Sequence, residues 1–207
     1  MSYPFTATLR DEIAARCGDF PRRIEPVSAL KLAAVAIVVV PAEDGMEAGF
    51  LLTRRAATLR GHAGQWALPG GRCDAGETLG MAALRELDEE LGVTLTPDSV
   101  LGVLDDYPSR SGYAIAPVIV WGGAALDLRP NPDEVASVHR ISFAELSKPG
   151  AVEFIAIPES DRPVIRLNFA DRNIHAPTAA LIYQFTELLA GRITRVAELE
   201  QPVFAWR

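Results

Sequence analysis

The chain has 207 residues, 49% hydrophobic and 23% charged, so it can build a core and is not a disordered tract. Twenty Lys and Arg against 27 Asp and Glu give a net charge of -7, which excludes a sequence-independent nucleic-acid binder with a broad basic surface. The longest apolar run, residues 33–40, falls far short of the roughly 18 residues a membrane-spanning helix needs.

In chain order, residues 6–16 carry Leu9 and Ile13 at helical spacing and predict a short helix, followed by an irregular connection ending near Pro26. No basic stretch leads into an apolar core at residues 1–10, and Ala205-Trp206-Arg207 is not a peroxisomal address. Two cysteines, Cys17 and Cys73, are too few for a disulfide framework, so a cytoplasmic protein is expected. Strands are predicted at 33–40, where Val and Ile dominate, and at 49–54, across a turn-rich Pro41-Ala42-Glu43-Asp44-Gly45. A loop with Gly61, Gly64 and Gly70 leads to Pro69-Gly70-Gly71. Residues 78–91 predict a helix that stops at Gly92 and has Leu84, Leu87 and Leu91 on one face. Further strands are predicted at 101–105, 113–121, 135–141 and 152–157, a short helix at 143–146, and a long amphipathic helix at 178–189. Mixed strands and helices without regular alternation favour an α/β sandwich with a mixed sheet over a doubly wound parallel sheet. The expected division is an N-terminal helical extension, 1–28, and one domain, 29–207.

The chemistry concentrates in residues 71–93, GRCDAGETLGMAALRELDEELGV. At 100° per residue, Glu86, Glu89 and Glu90 fall within about 100° of one another, beside the leucine face. Like charges at this spacing repel, and a hard divalent cation such as Mg2+ would convert that repulsion into binding. Acidic helix faces are usually just solvated, so Glu-x-x-Glu-Glu alone decides nothing. The wider pattern does: Gly71, Glu77, Arg85, Glu86, Leu87, Glu89, Glu90, Gly92 and Val93 stand at fixed intervals whose chance match is about one in a million.

This segment resembles the Nudix box, and the chain is identified as a member of the Nudix hydrolase superfamily. The resemblance implies an α/β/α sandwich with the box as loop, helix and loop. It implies Mg2+- or Mn2+-dependent hydrolysis of a nucleoside diphosphate linked to another moiety. Carried over, Glu86 and Glu90 become the principal metal ligands, with Glu89 assisting or acting on water. Glu77 and Arg85 become the groups that orient them, and the backbone carbonyl near Gly70 adds a ligand. The chemistry agrees: a phosphoanhydride needs charge neutralisation and a positioned water more than covalent help. No Gly-x-Ser-x-Gly elbow is present, and Cys73 reads as incidental.

Immediately upstream, LLTRRAATLRGHAGQWALPGG is similar to the second signature of the coenzyme A pyrophosphatase branch at Leu51, Leu52, Thr53, Arg55, Arg60, Gly64, Pro69, Gly70 and Gly71. It departs at Ala56, where Ser is usual, and at Leu68, where Phe is usual. Ser111-Gly112-Tyr113 with Pro117-Val118, Asp133-Glu134-Val135 and residues 176–180 also resemble that branch. Coenzyme A carries several phosphates, and Arg54, Arg55, Arg60, His62 and Arg72 concentrate cations beside an acidic domain. Arg abundance by itself decides nothing, because only Lys31 and Lys148 among the 20 basic residues are Lys. His62 is not taken as a base. Glu134, opening a predicted strand, reads equally as a catalytic base recruited from outside the box or as an acid paired with a basic neighbour. The expected partner is a small coenzyme A-like nucleotide, with no nucleic acid and no membrane; a homodimer stays open. Rival readings are the same chemistry on ADP-ribose or a nucleoside triphosphate, and a non-catalytic nucleotide-sensing module. A structural Ca2+ site is disfavoured because no Asp-rich loop surrounds the helix.

Overall fold

A computed structural model describes residues 2–25, 30–59, 61–169 and 172–206. The expected boundary near residue 28, like Pro26, lies outside the described residues.

Strand β1 (Lys31–Pro41) is the axis of the molecule. Its residues are apolar almost without a break because both faces are covered. Ala34, Ala36, Val38 and Val40 enter one core and Ile37 and Val39 the other, the two-residue period of a strand. Strand β2 (Ala48–Arg55) pairs antiparallel with the end of β1, at Val39–Pro41. A short β3 (Trp66–Ala67) pairs with β2, and β4 (Gly70–Arg72) pairs with Ala33, Ala34 and Val35 of β1. One edge of β1 is therefore split between β4 and β2, and at the split Ala36 N–H donates to the Pro69 carbonyl at 2.8 Å. This brings the glycine loop into the sheet.

Helix α1 (Ala7–Asp19) is capped by Thr6, whose hydroxyl accepts from Leu9 N–H, and it buries Leu9, Ile13 and Cys17. Helix α2 (Leu79–Leu91) starts at the Thr78 cap and ends at Gly92, which takes a left-handed φ of 64°. The helix lies against β1 through Ala82, Ala83, Leu87 and Leu91, and each fully buried leucine stabilises the packing by about 1.5 to 3 kcal/mol. Strands β5 (Val100–Val103) and β6 (Tyr107–Pro108) pair antiparallel with β7 (Tyr113–Trp121). Strand β7 runs parallel to β1 from Lys31 opposite Tyr113 to Val39 opposite Trp121. Strand β8 (Val135–Ser142) completes the mixed sheet beside β2. A 3-10 turn, Phe143–Ser147, stands where a short helix is predicted.

The second face differs from the expectation of one strand near residue 152. Strands β9 (Val152–Ile157), β10 (Ser160–Phe169) and β11 (Arg172–His175) form a separate antiparallel sheet. Helix α3 (Thr178–Leu189) follows, and its Ile182 and Phe185 share a core with Ile165, Leu167 and the α1 residues. Two sets of elements thus cover opposite faces of a mixed sheet, the expected α/β sandwich. Among the described residues no helix is long and apolar enough to cross a membrane.

Candidate active site

The three helix carboxylates are graded in exposure. Side chains of Glu89, Glu86 and Glu90 are 55%, 14% and 5% exposed. Glu90 is therefore not on a solvated face. The loop after residue 128 closes over the end of α2: Arg129 N–H donates to the Leu91 carbonyl at 2.8 Å and Asn131 N–H to the Glu90 carbonyl at 2.9 Å. The Glu90 carboxylate accepts from Gly70 N–H. Burial, and then the charge of Glu86, push its pKa up to about 7, against the pull of Arg55, while Glu134 adds to the rise. Glu86 is also raised, first by burial, with Arg85 opposing and Glu89 and Glu134 adding.

Arg85 holds the remaining acids. Its Nε and Nη2 donate to the two oxygens of Glu77 at 2.9 and 3.1 Å, a bidentate fork. Nη1 reaches Glu86 at 2.8 Å and Glu89 at 3.1 Å, and Nη2 also donates to the Arg72 carbonyl at 2.9 Å. Glu77 in turn accepts from Asp74 N–H at 2.9 Å, and Arg85 first, then this bond, hold its carboxyl below the usual range. One guanidinium thus ties the box loop to the helix carboxylates.

Gly71 matters through what it lacks. A Cβ built there would stand 2.6 Å from the carboxyl carbon of Glu86. Because the obstacle is the end of a side chain, Gly71→Ala is expected to fold within about 1 kcal/mol of the parent. It should displace Glu86 and lower kcat about 10- to 100-fold, the usual cost of disturbing groups that orient a metal ligand. Thermal melts beside turnover check this; unchanged kcat would show that the Glu86 position does not matter.

Glu134 comes to the same place from β8. Its carbonyl accepts from Ala56 N–H at 2.8 Å and its N–H donates to the Asn131 carbonyl at 3.1 Å, so the strand start is pinned between β2 and α2. Its charge reaches both Glu86 and Glu90. Among the described residues, two guanidiniums stand around these acids, Arg85 and Arg55, the latter with Nη1 3.9 Å from a Glu90 oxygen. Among the described residues no three carboxylate, His or Cys side chains already form a metal cage; Glu86 faces Arg85 and Glu90 faces Gly70 N–H. The donor set nevertheless fits a hard divalent cation. It offers only oxygen, five carboxylates outnumber two guanidiniums, and one carboxylate is buried at a charge-opposing position.

Beside the acids opens a cavity of about 480 Å³. Gly70 and Gly71 border it, Arg55 and Arg72 bring guanidiniums to it, and among the described residues no carboxylate lines it. The Arg72 guanidinium lies over the Tyr113 ring at 5.2 Å. Ser111, Tyr113, Pro177 and Thr178, far apart in the chain, meet here with Leu68 as an apolar wall. Gly64 takes a φ of 67° and its carbonyl accepts from Arg54 Nε at 3.3 Å, so it shapes the loop and does not border this cavity. Arg60 lies outside the described residues. Gln65, Trp66 and Gln201 also line the cavity and had no signal in the residue pattern; Gln201 arrives from the last segment of the chain.

The chain was compared with known proteins. It is 42% identical over 116 residues to an uncharacterised Nudix hydrolase, NudL, of Cronobacter sakazakii, a match covering 56% of this chain and 60% of that relative. It is 37% identical over 143 residues to the NudL protein of Pectobacterium atrosepticum, covering 69% and 73%. The chain thus spans about 60% of the length of the first of these relatives. A solved C. elegans Ap4A hydrolase complex superposes with a TM-score of 0.50 at 18% identity, covering 77% of this chain and 98% of that one, a likeness of fold. A family model described as the NUDIX domain matches residues 30–165, which include every strand of the mixed sheet and the whole carboxylate helix, and the chain belongs to that family.

Proposed function

We propose that the protein is a divalent-metal-dependent pyrophosphatase that cuts the diphosphate of coenzyme A or its derivatives. The observation that carries this reading is the cavity itself. In a chain of net charge -7, a space lined by Arg55 and Arg72 and, among the described residues, by no carboxylate lies beside the acids around the buried Glu90. A diphosphate in that space has donors on one side and the acids on the other. Arg55 Nε is buried with no hydrogen-bond partner among the described residues, which suits a donor reserved for a phosphoryl oxygen. Segments that resemble the coenzyme A branch, at Arg55, Ser111, Tyr113 and Thr178, supply much of the wall.

Glu86 and Glu90, with Glu89, would hold Mg2+ or Mn2+, which when bound polarises phosphoryl oxygens and lowers the pKa of water. Arg85, fixed by Glu77, keeps Glu86 and Glu89 aligned. Arg55 and Arg72 bind and orient the diphosphate, and Glu134, whose charge reaches Glu86 and Glu90, would take a proton from the attacking water.

The test is a nucleotide panel incubated with Mg2+ or Mn2+, with products identified by mass. Coenzyme A should yield 3′,5′-ADP and 4′-phosphopantetheine with no free inorganic phosphate. AMP released from ADP-ribose at much higher efficiency, with coenzyme A untouched, would replace this substrate assignment.

A further inference from the structure

Next to the cavity of Arg55 and Arg72 lies a second, of about 260 Å³. The two share His62, Gln65, Trp66, Pro177, Thr178 and Gln201, so they are neighbouring chambers with one common wall. Asn173 and His175 from β11 and Pro202 and Phe204 from the C-terminal segment close the far chamber. The two differ in charge. Among the described residues no Lys, Arg, Asp or Glu lines the far chamber, whereas the near one holds two guanidiniums. Its polar groups are the amides of Gln65, Asn173 and Gln201, the Thr178 hydroxyl and the imidazoles of His62 and His175, and its apolar surface includes Trp66, Ile174 and Phe204. Burial, with Arg166 adding, lowers the His175 pKa, so that imidazole is neutral at pH 7.

The C-terminal wall is firmly placed. Gln201 Oε1 accepts from Arg110 N–H at 2.6 Å, which leaves its amide N–H2 as the donor brought to the wall. Trp206 Nε1 donates to the Gln201 carbonyl at 2.7 Å, and the Arg110 guanidinium lies 4.5 Å from the Trp206 ring. Phe204 meets His175 edge-on at 5.5 Å. An anion entering the far chamber would lose water and, among the described residues, find no Lys or Arg, whereas an uncharged chain with amide and methylene groups would find partners for both.

We propose that the far chamber receives the uncharged arm of the substrate beyond the diphosphate, an amide-bearing and partly apolar chain, with Gln201 and Phe204 determining specificity for it. This rests on the coenzyme A reading, since the pantetheine arm of that molecule has those groups.

Two variants test it. Phe204 is 65% exposed, so Phe204→Ala leaves the core intact. Gln201→Glu keeps an oxygen for Arg110 N–H while removing the amide donor. Free pantetheine should bind the metal-free protein weakly, seen by ligand-observed NMR, and each variant should weaken that binding at least about 5-fold. On coenzyme A each should raise KM about 5- to 20-fold with kcat within about 2-fold, the signature of uniform binding. Inhibition by 3′,5′-ADP, which lacks the arm, should be unchanged in Phe204→Ala, because Phe204 lines the far chamber and not the near one. Equal weakening of 3′,5′-ADP by Phe204→Ala, or pantetheine binding indifferent to both variants, would overturn the assignment. Should the parent cleave other nucleoside diphosphate derivatives and not coenzyme A, the substrate reading fails by itself. Pantetheine binding then decides the chamber: retained and dependent on Phe204 it stands, absent it falls.

Discussion

Glu90→Gln is expected to remove most turnover and, without divalent metal, to stabilise the protein at pH 8. Both effects follow from one buried carboxylate. If Glu90 helps hold the cation, its loss removes several kcal/mol of transition-state stabilisation; about 3 to 5 kcal/mol is roughly a 150- to 5000-fold loss of kcat. Glu86→Gln should behave alike. The second effect comes from the pKa of about 7, against an ordinary value near 4.5. As pH rises from about 4.5 to 7, the unfolded chain has released this proton and the folded one has not. The folded state therefore binds more protons, and its stability falls across that window, by up to about 3 kcal/mol above pH 7. Glutamine has no proton to lose and keeps an oxygen for Gly70 N–H. The variant should match the parent at pH 4 and melt roughly 3 to 10 °C higher at pH 8 in chelator. Adding Mg2+ or Mn2+ should raise the parent melt and not the variant melt. Near-normal turnover at saturating metal would remove Glu90 from the site, and a parent melt insensitive to both pH and metal would remove the explanation for its burial.

What could be read from the residues, and what could not, divides along sequence separation. The first strand was legible because burial on both faces demands the unbroken Val and Ile run, and α2 because Thr78, the leucines and Gly92 mark its start, face and stop. Residues of the carboxylate cluster were legible as a pattern, yet their graded exposure was not. Glu90 is buried by Asn131 and Gly70, which no helical wheel contains. Strand β10 was missed because Asp161, Arg162 and Pro163 break its start, although Ile165, Leu167 and Phe169 alternate inward as a strand requires. The far chamber was illegible for a different reason. Its wall comes from residues 173–175 and 201–205, and their meeting with Trp66 is a property of the fold and of no local pattern.

That C-terminal wall hangs on Glu200, and Glu200→Gln is expected to cost the fold about 3 kcal/mol near neutral pH. Glu200 is 1% exposed. Its carboxylate accepts from Arg110 Nε and Nη2 at 3.1 and 2.6 Å, Arg162 Nη2 at 2.7 Å, Ser160 Oγ at 3.0 Å and Gln201 N–H at 2.9 Å. Burial alone would raise its pKa, but these donors, the guanidiniums of Arg110 and Arg162 foremost, hold it down to about 2. Against an ordinary value near 4.5, that depression is worth about 3 kcal/mol, fully present above pH 4.5 and lost as pH falls towards 2. Breaking a buried pair from one side costs about 3 to 5 kcal/mol. The lower end applies here, because Arg110 and Arg162 are 43% and 39% exposed and can turn to water. In a chain of this length 3 kcal/mol is roughly 6 to 12 °C of melting temperature. The decisive measurement is the difference in melting temperature between parent and variant at pH 7 and at pH 3. It should be large at pH 7 and shrink at pH 3, where the parent is losing the same interaction. A difference below about 2 °C at pH 7 would mean that the two arginines are solvated rather than paired, and that something else holds residues 201–206 against the far chamber.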